Sequence, residues 1–218
     1  MNCLKIPSLP LAGNSFLLFL LLFLAICATL PVQGQNAGKD KPHPDLPYYE
    51  IPAYPETFTA GNVAARMIDG LGYRYYWATE GLREEDLKFR PGKEARTSLE
   101  TLEHIYELSQ IIVNCTNKLP NITVADRPAP AFAAMRKQTL ENLKSASDRL
   151  KTTSDKEMND LKIIFKRDNS SKEFPYWNQL NGPIADVLWH TGQVVSFRRS
   201  SGNPFNEKVN VFTGSTKE

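Results

Sequence analysis

Apolar positions along the chain fall into four long runs at helical spacing, separated by polar or proline-rich connections. The first run spans about Thr59 to Thr79, where Val63, Met67, Ile68, Leu71 and Tyr75 recur on one face. Gly70 and Gly72 inside it each cost about 1 kcal/mol relative to alanine, which suggests close packing against a neighbour. It ends in the aromatic cluster Tyr73, Tyr75, Tyr76 and Trp77, read first as core and second as the wall of a pocket. Gly81 closes this helix, and the polar connection Leu82 to Arg96 carries a short helical piece at Glu84–Leu87. Thr97-Ser-Leu-Glu100 is a capping box that starts a second helix, Ser98 to about Asn117. Ile105, Leu108 and Ile112 form its buried stripe, with His104 and Ile111 at the edge.

A loop with three prolines, Lys118 to Pro130, leads to a third helix from about Ala131 to Thr152. Phe132, Met135, Leu143, Ala146 and Leu150 point inward there, and Pro130 suits the first turn. Thr153 to Glu173 is a polar excursion around Leu161-Lys-Ile-Ile-Phe165, a short extended or hairpin-like piece. The fourth helix starts near Pro175, with Trp177, Leu180, Ile184, Val187, Leu188, Val194 and Val195 over a wide apolar arc. Gly182-Pro183 predicts a kink just before Asp186. Arg198 and Arg199 occupy the last turn, where the helix dipole favours cations, and Gly202-Asn-Pro204 stops the helix. Val209–Phe212 then reads as a short extended cover. The pattern predicts an all-α fold: a four-helix bundle over residues 58–204, with one short extended excursion between the third and fourth helices. An extended, proline-rich leader (35–57) precedes it and a tail (205–218) follows.

Composition narrows the function classes. The 218 residues are 41% hydrophobic and 23% charged, as in an ordinary globular chain. The 26 basic and 24 acidic residues are interleaved, so the net charge of +2 excludes the basic surface of a nucleic-acid binder. Residues 1–34 read as an export signal: Lys5 is the positive end, Phe16 to Leu30 the apolar run, and Val32-Gln-Gly34 the cleavage site before Gln35. A retained membrane anchor is the alternative, and a lipoprotein signal at Cys27 fits poorly because of Ile26. After cleavage only Cys115 remains, at helical spacing from Leu108 and Ile111, which predicts a buried, inert thiol. His43 is a loop histidine between prolines. Asn114, Asn121 and Asn169 match the glycosylation acceptor pattern by chance. No internal repeat, phosphate-binding glycine loop or CxxC pair occurs.

The candidate chemistry lies on the fourth helix. Asp186 and His190 stand four residues apart and therefore share a face, placed by the apolar arc toward the bundle interior. His104 on the second helix is the inward histidine opposite them. Two imidazoles and a carboxylate without thiolate suit Zn²⁺, Ni²⁺ or Fe²⁺ and leave coordination positions open. Tyr76, Trp77 and Arg198 are candidate contributors to a neighbouring pocket.

These residues carry a resemblance. The order of four helices, Glu85-Asp-Leu-Lys-Phe-Arg-Pro91, His104 in Leu102-Glu-His-Ile105, and His190-Thr-Gly-Gln193 together resemble the DinB-like (damage-inducible) superfamily over roughly Phe58 to Pro204. Members of that family commonly bind a divalent metal through three histidines, one on the second helix and two on the last. His104 and His190 match two of those positions and Asp186 replaces the third. Asn181-Gly-Pro-Ile-Ala-Asp186 and Arg198-Arg-Ser-Ser-Gly-Asn-Pro204 resemble a branch in which aspartate takes this place. The resemblance implies thiol-dependent transferase or isomerase chemistry in which the metal activates a small thiol, and the reading for this chain is a divalent-metal-dependent hydrolase or transferase acting on an unidentified small molecule. Thiol transfer fits an exported protein poorly, since export separates it from the cytosolic thiol pool. The alternative is a non-catalytic helical bundle that binds a ligand or partner, with the same cluster serving structure. A second copy of the chain is an admissible partner, nucleic acid is not, and a membrane is one only if the N-terminal segment is retained.

Overall fold

The computed structural model describes residues 46–122 and 128–217. The signal, the cleavage site, Cys27 and His43 lie outside the described residues, as does the first part of the leader, 35–45. Four long helices carry the fold: α1 (Ala60–Thr79), α3 (Ser98–Thr116), α4 (Phe132–Lys151) and α7 (Ala185–Ser200), with short α2 (Glu84–Lys88) between the first two. After α4 the chain makes α5 (Asp155–Met158), the hairpin β2 (Lys162–Arg167) and β3 (Ser170–Pro175), a turn of helix α6 (Trp177–Gln179) and a π-helical segment, Leu180–Ile184. β1 (Asn121–Ile122) follows α3, and β4 (Val209–Asn210) pairs with β5 (Ser215–Thr216) in the tail.

Local chemistry explains the boundaries. Thr59 Oγ1 accepts from Asn62 N at the start of α1. Thr97 and Glu100 form both bonds of the capping box that opens α3, at 3.1 and 2.6 Å. Ser154 and Glu157 repeat that device at α5. α7 begins where Gly182 (φ −99°, ψ −108°) and Pro183 interrupt the helix, leaving a π segment in place of a continuous rod. The kink thus falls immediately before Asp186, as the Gly-Pro pair predicts.

An all-α fold is overturned by the two sheets. β1, β2 and β3 form one mixed sheet, β1 parallel and β3 antiparallel to β2, and β4 with β5 forms a second. In β2 only Ile163 is buried, while Lys162 faces out and bonds Glu173 across the hairpin at 2.9 Å. Such half-buried alternation belongs to a strand rather than a helix. Asp168, at φ 51°, makes the two-residue reversal, a conformation that aspartate tolerates better than most residues. β1 is pinned from outside its own ladder, since Asn121 takes a hydrogen bond from Asn114 and gives one to the Ile164 carbonyl.

Each long helix packs against two others, in the cyclic order α1, α4, α3, α7. Arg198 near the end of α7 reaches the end of α1, so those two run the same way. Arg136 near the start of α4 also reaches the end of α1, so α4 runs against it. The core is a stripe from each helix, including Ile68, Leu71 and Tyr75 of α1, Leu102, Ile105 and Ile112 of α3, and Met135, Leu143 and Leu150 of α4. The tightest approaches involve glycine: a Cβ on Gly61 would meet the Leu150 carbonyl, and one on Gly72 would meet the Tyr48 ring. Gly72 is therefore a packing residue, whereas Gly70 has only its own helix's Arg74 nearby. Cys115 is buried, and its thiol is pushed up to about 12 by that burial.

Several inward assignments are corrected. Val63 and Met67 are about half exposed at 48% and 47%, because the first turns of α1 pack through Gly61, Ala64 and Ala65, and Ile68 and Leu71 enter the core beyond them. Trp177 (75%) and Leu188 (45%) are likewise exposed, Leu188 because α7 enters the core through Val187, Thr191 and Val194 instead. Pro130 lies just outside α4, whose cap residue is Ala131.

Candidate metal centre

α7 enters the core through Val187, Thr191, Val194 and Arg198. Asp186, His190 and Gln193 lie one residue before those positions, about 100° around the helix, on the side that faces α3. His104 sits opposite them, at the edge of the α3 stripe. The four groups therefore line the α3–α7 seam rather than the bundle interior, which corrects the inward-facing assignment. Their side chains are 27% (His104), 42% (Asp186) and 15% (His190) exposed, so the seam is open to solvent on one side.

Each imidazole presents its Nε2 atom to a different oxygen of one carboxylate. His104 Nε2 lies 3.4 Å from Asp186 Oδ2, and His190 Nε2 lies 3.3 Å from Asp186 Oδ1. The rings stand edge to face, 4.9 Å apart at 81°. Donor atoms of all three residues fall within 4.8 Å of one another. Two ligand atoms each about 2.1 Å from one ion are separated by about 3.0–3.4 Å at octahedral or tetrahedral angles. The separations in the seam match that requirement, and they are long for direct hydrogen bonds. His104, Asp186 and His190 thus form a group that could hold a metal ion.

Gln193 completes the group from behind. Its side-chain carbonyl accepts a hydrogen bond from His190 Nδ1 at 2.7 Å, with the amide oriented as assigned, which leaves the Nε2 lone pair free toward the carboxylate. His104 has no such support, because its Nδ1 is 3.8 Å from Glu107 Oε2, beyond hydrogen-bond reach. Asp186 stands in the first turn of α7, where the helix dipole favours an anion. Gln193 is three residues from His190 and so shares its face; that spacing was the available sequence signal for its role.

The remaining candidates are placed elsewhere. Tyr76 and Trp77 are buried core residues, stacked on each other and on Tyr49 at centroid distances of 5.2 to 5.9 Å. Arg198 is buried and saturated: it donates to the carbonyls of Trp77, Ala78, Glu80 and Asn203, and to the Asn203 side chain. It caps the C-terminal end of α1, whose last carbonyls have no partner within their own helix. Arg136 does the same from α4, bonding Thr79 and the Tyr76 carbonyl and pairing with Glu80. Glu85-Asp-Leu-Lys-Phe-Arg-Pro91 and Arg198-Arg-Ser-Ser-Gly-Asn-Pro204 meet in the same place. The Asp86 carboxylate, with no exposed side-chain area, accepts from Arg83, Ser201 and Asn203 at 2.6 to 3.0 Å. Burial alone would raise its pKa, but those hydrogen bonds outweigh it and hold the carboxyl well below the usual carboxylate range.

No family model, curated protein or solved structure matches this chain. Among the described residues, no helix is long and apolar enough to cross a membrane.

Proposed function

We propose that this is a metal-dependent hydrolase or transferase of DinB-like type, in which His104, Asp186 and His190 hold one divalent transition-metal ion. The observation that carries the reading is the convergence of two imidazole Nε2 atoms on one carboxylate at 3.3 and 3.4 Å. Two histidines and one carboxylate, without a thiolate, are a donor set for zinc, nickel or ferrous iron with positions left open. A bound ion of this kind supplies Lewis acidity and lowers the pKa of water or another nucleophile beside it. The chain's own part is to hold the donors. Gln193 fixes the His190 tautomer, the kink at Gly182-Pro183 sets the start of α7, and the half-exposed Asp186 leaves one side of the seam approachable. Support for the DinB-like assignment is the four-helix frame, with His104 on its second long helix and Asp186 and His190 on its fourth.

Metal content decides the matter. The purified protein is expected to carry one divalent ion per chain and to melt at a lower temperature after chelation, with both properties lost in His190→Ala. A wild type free of stoichiometric metal, with a melting temperature indifferent to chelator, overturns the metal reading. A bound ion without turnover of ester, amide or thiol substrates instead supports the non-catalytic binding bundle.

A further inference from the structure

A broad apolar surface lies where the start of α1 meets α6, lined by none of the metal-seam residues. Five large side chains are exposed together there: Phe58 (99%), Tyr54 (76%), Trp177 (75%), Val63 (48%) and Met67 (47%). They border two adjoining grooves, of about 740 and 480 Å³, and Phe58, Val63 and Met67 belong to both. We propose that this face is a self-association surface, on which a second copy of the chain docks about a two-fold axis.

Area is the first argument. A buried aromatic side chain contributes roughly 150–250 Å², so the three exposed rings alone offer roughly 400–600 Å². A standard stable interface buries roughly 800 Å² per partner, and a monomer seldom exposes a contiguous apolar patch beyond a few hundred Å². With Val63 and Met67 added, this face approaches the size of one half of a stable dimer.

Charge is the second. Under two-fold symmetry the patch meets itself, so any net charge would face like charge. The two charged residues bordering the grooves are already engaged. Arg66 donates to the Pro52 carbonyl at 2.7 Å and stacks over the Tyr54 ring at 4.4 Å, and Asp155 accepts from the backbone of Ala60 at 3.1 Å. With one cation, Arg66, and one anion, Asp155, at its border, the face also lacks the cluster of cations that would draw a nucleic acid or an anionic lipid surface.

Shape is the third. Phe58 projects between the two grooves, so the same surface carries both a knob and the holes to receive its copy, as an isologous contact requires. Each copy's Phe58 would enter the larger groove of the other, beside Trp177.

Sedimentation velocity on the protein as isolated, across about 1–100 μM, tests this. Wild type is expected to move from monomer to dimer in that range. Phe58→Asp and Trp177→Asp should each raise the dissociation constant about 100-fold or more, while Phe58→Leu and Phe212→Asp should leave it within about threefold; Phe212 is exposed on the tail, outside the grooves. All three positions are solvent-facing, so helical circular dichroism and melting temperature should stay at the wild-type value. A wild type that remains monomeric at 100 μM overturns the proposal, whether or not it takes up lipid vesicles or an apolar dye through these residues. So does a dimer that ignores both aspartate substitutions, or one that Phe212→Asp disrupts equally.

Discussion

Helix α7 carries two polar clusters about three turns apart, and they contrast in how completely their hydrogen bonds are used. At its C-terminal end, Arg198, Ser201 and Asn203 close onto Asp86, Arg83 and the last carbonyls of α1, with every carboxylate oxygen and guanidinium nitrogen of the buried pair engaged. Near its N-terminal end, Asp186 lies 3.3 and 3.4 Å from His190 and His104, long for good hydrogen bonds, with one donor atom of each residue within 4.8 Å of the others. The first cluster is finished by the protein itself; the second leaves donor atoms that could hold a metal ion. Burial tells them apart as well, since the Asp86 side chain has no exposed area and that of Asp186 is 42% exposed. A saturated network spends its polar groups on joining segments distant in sequence. An unsaturated one keeps donor atoms for a ligand, and accepts weaker cohesion in exchange.

The sharpest way to break this contrast is to remove one carboxylate from each cluster. Asp86→Ala leaves Arg83 and two further donors facing a vacated buried site, and should destabilise by about 3–5 kcal/mol. Asp186→Ala in metal-free buffer should change stability by no more than about 0.5 kcal/mol, as expected for a part-exposed residue without well-formed bonds. Urea unfolding followed by circular dichroism measures both. Equal losses would mean that the seam is a structural network like the first, and that its donors are not held for a metal.

A smaller effect tests how the seam is prepared. Gln193→Leu removes the acceptor behind His190 without touching a donor atom of the group, and should weaken zinc binding about 10–100-fold. Stability of the metal-free protein should hardly move. Titration with zinc against a competing chelator gives the affinity. An unchanged dissociation constant would show that His190 needs no support from its neighbour.

Periodic and local features were legible in the sequence. The four long helices, the Thr97–Glu100 capping box, the Gly182-Pro183 kink and the inert Cys115 follow from spacing or from bonds within a few residues. Interactions between distant segments were not. The strand nature of Lys162–Arg167 depends on Ser170–Pro175 and on Asn121–Ile122, and five apolar-rich residues cannot distinguish a strand from a helix turn unaided. Arg198 was legible as a cation suited to a helix C-terminus, yet it caps α1 in addition to ending α7, a pairing that sequence spacing does not reveal. Val63 and Met67 fit the helical period but face outward, because the first turns of α1 bury Gly61, Ala64 and Ala65 and leave these two for the grooved surface. His104, Asp186 and His190 were brought together by the bundle as their spacing suggests, although on a seam and not in the core.

The last predicted effect concerns pH and belongs to the saturated cluster. Ser201 Oγ is 2.6 Å from Asp86 Oδ1, and losing a single hydrogen bond to a buried charge by Ser201→Ala should cost about 1–2 kcal/mol near neutrality. Asp86 titrates below the usual carboxylate range in the folded protein, whereas in the unfolded chain its pKa is about 3.9. The stabilisation from its ionised form is therefore complete above about pH 4 and is lost as pH falls through the folded value. Removing one donor raises that folded value toward the unfolded one. The unfolded value is common to both proteins and cancels from their difference, so the deficit of Ser201→Ala should stay full from pH 7 down to the variant's own folded value, well below the usual carboxylate range. An NMR titration of the Asp86 carboxyl in both proteins shows the effect directly, with the folded midpoint higher in Ser201→Ala. An unchanged midpoint would assign the loss to packing or to the Ser201 bond with the Arg198 carbonyl, and would remove the charge-assisted bond from the account of how this end of the bundle is closed.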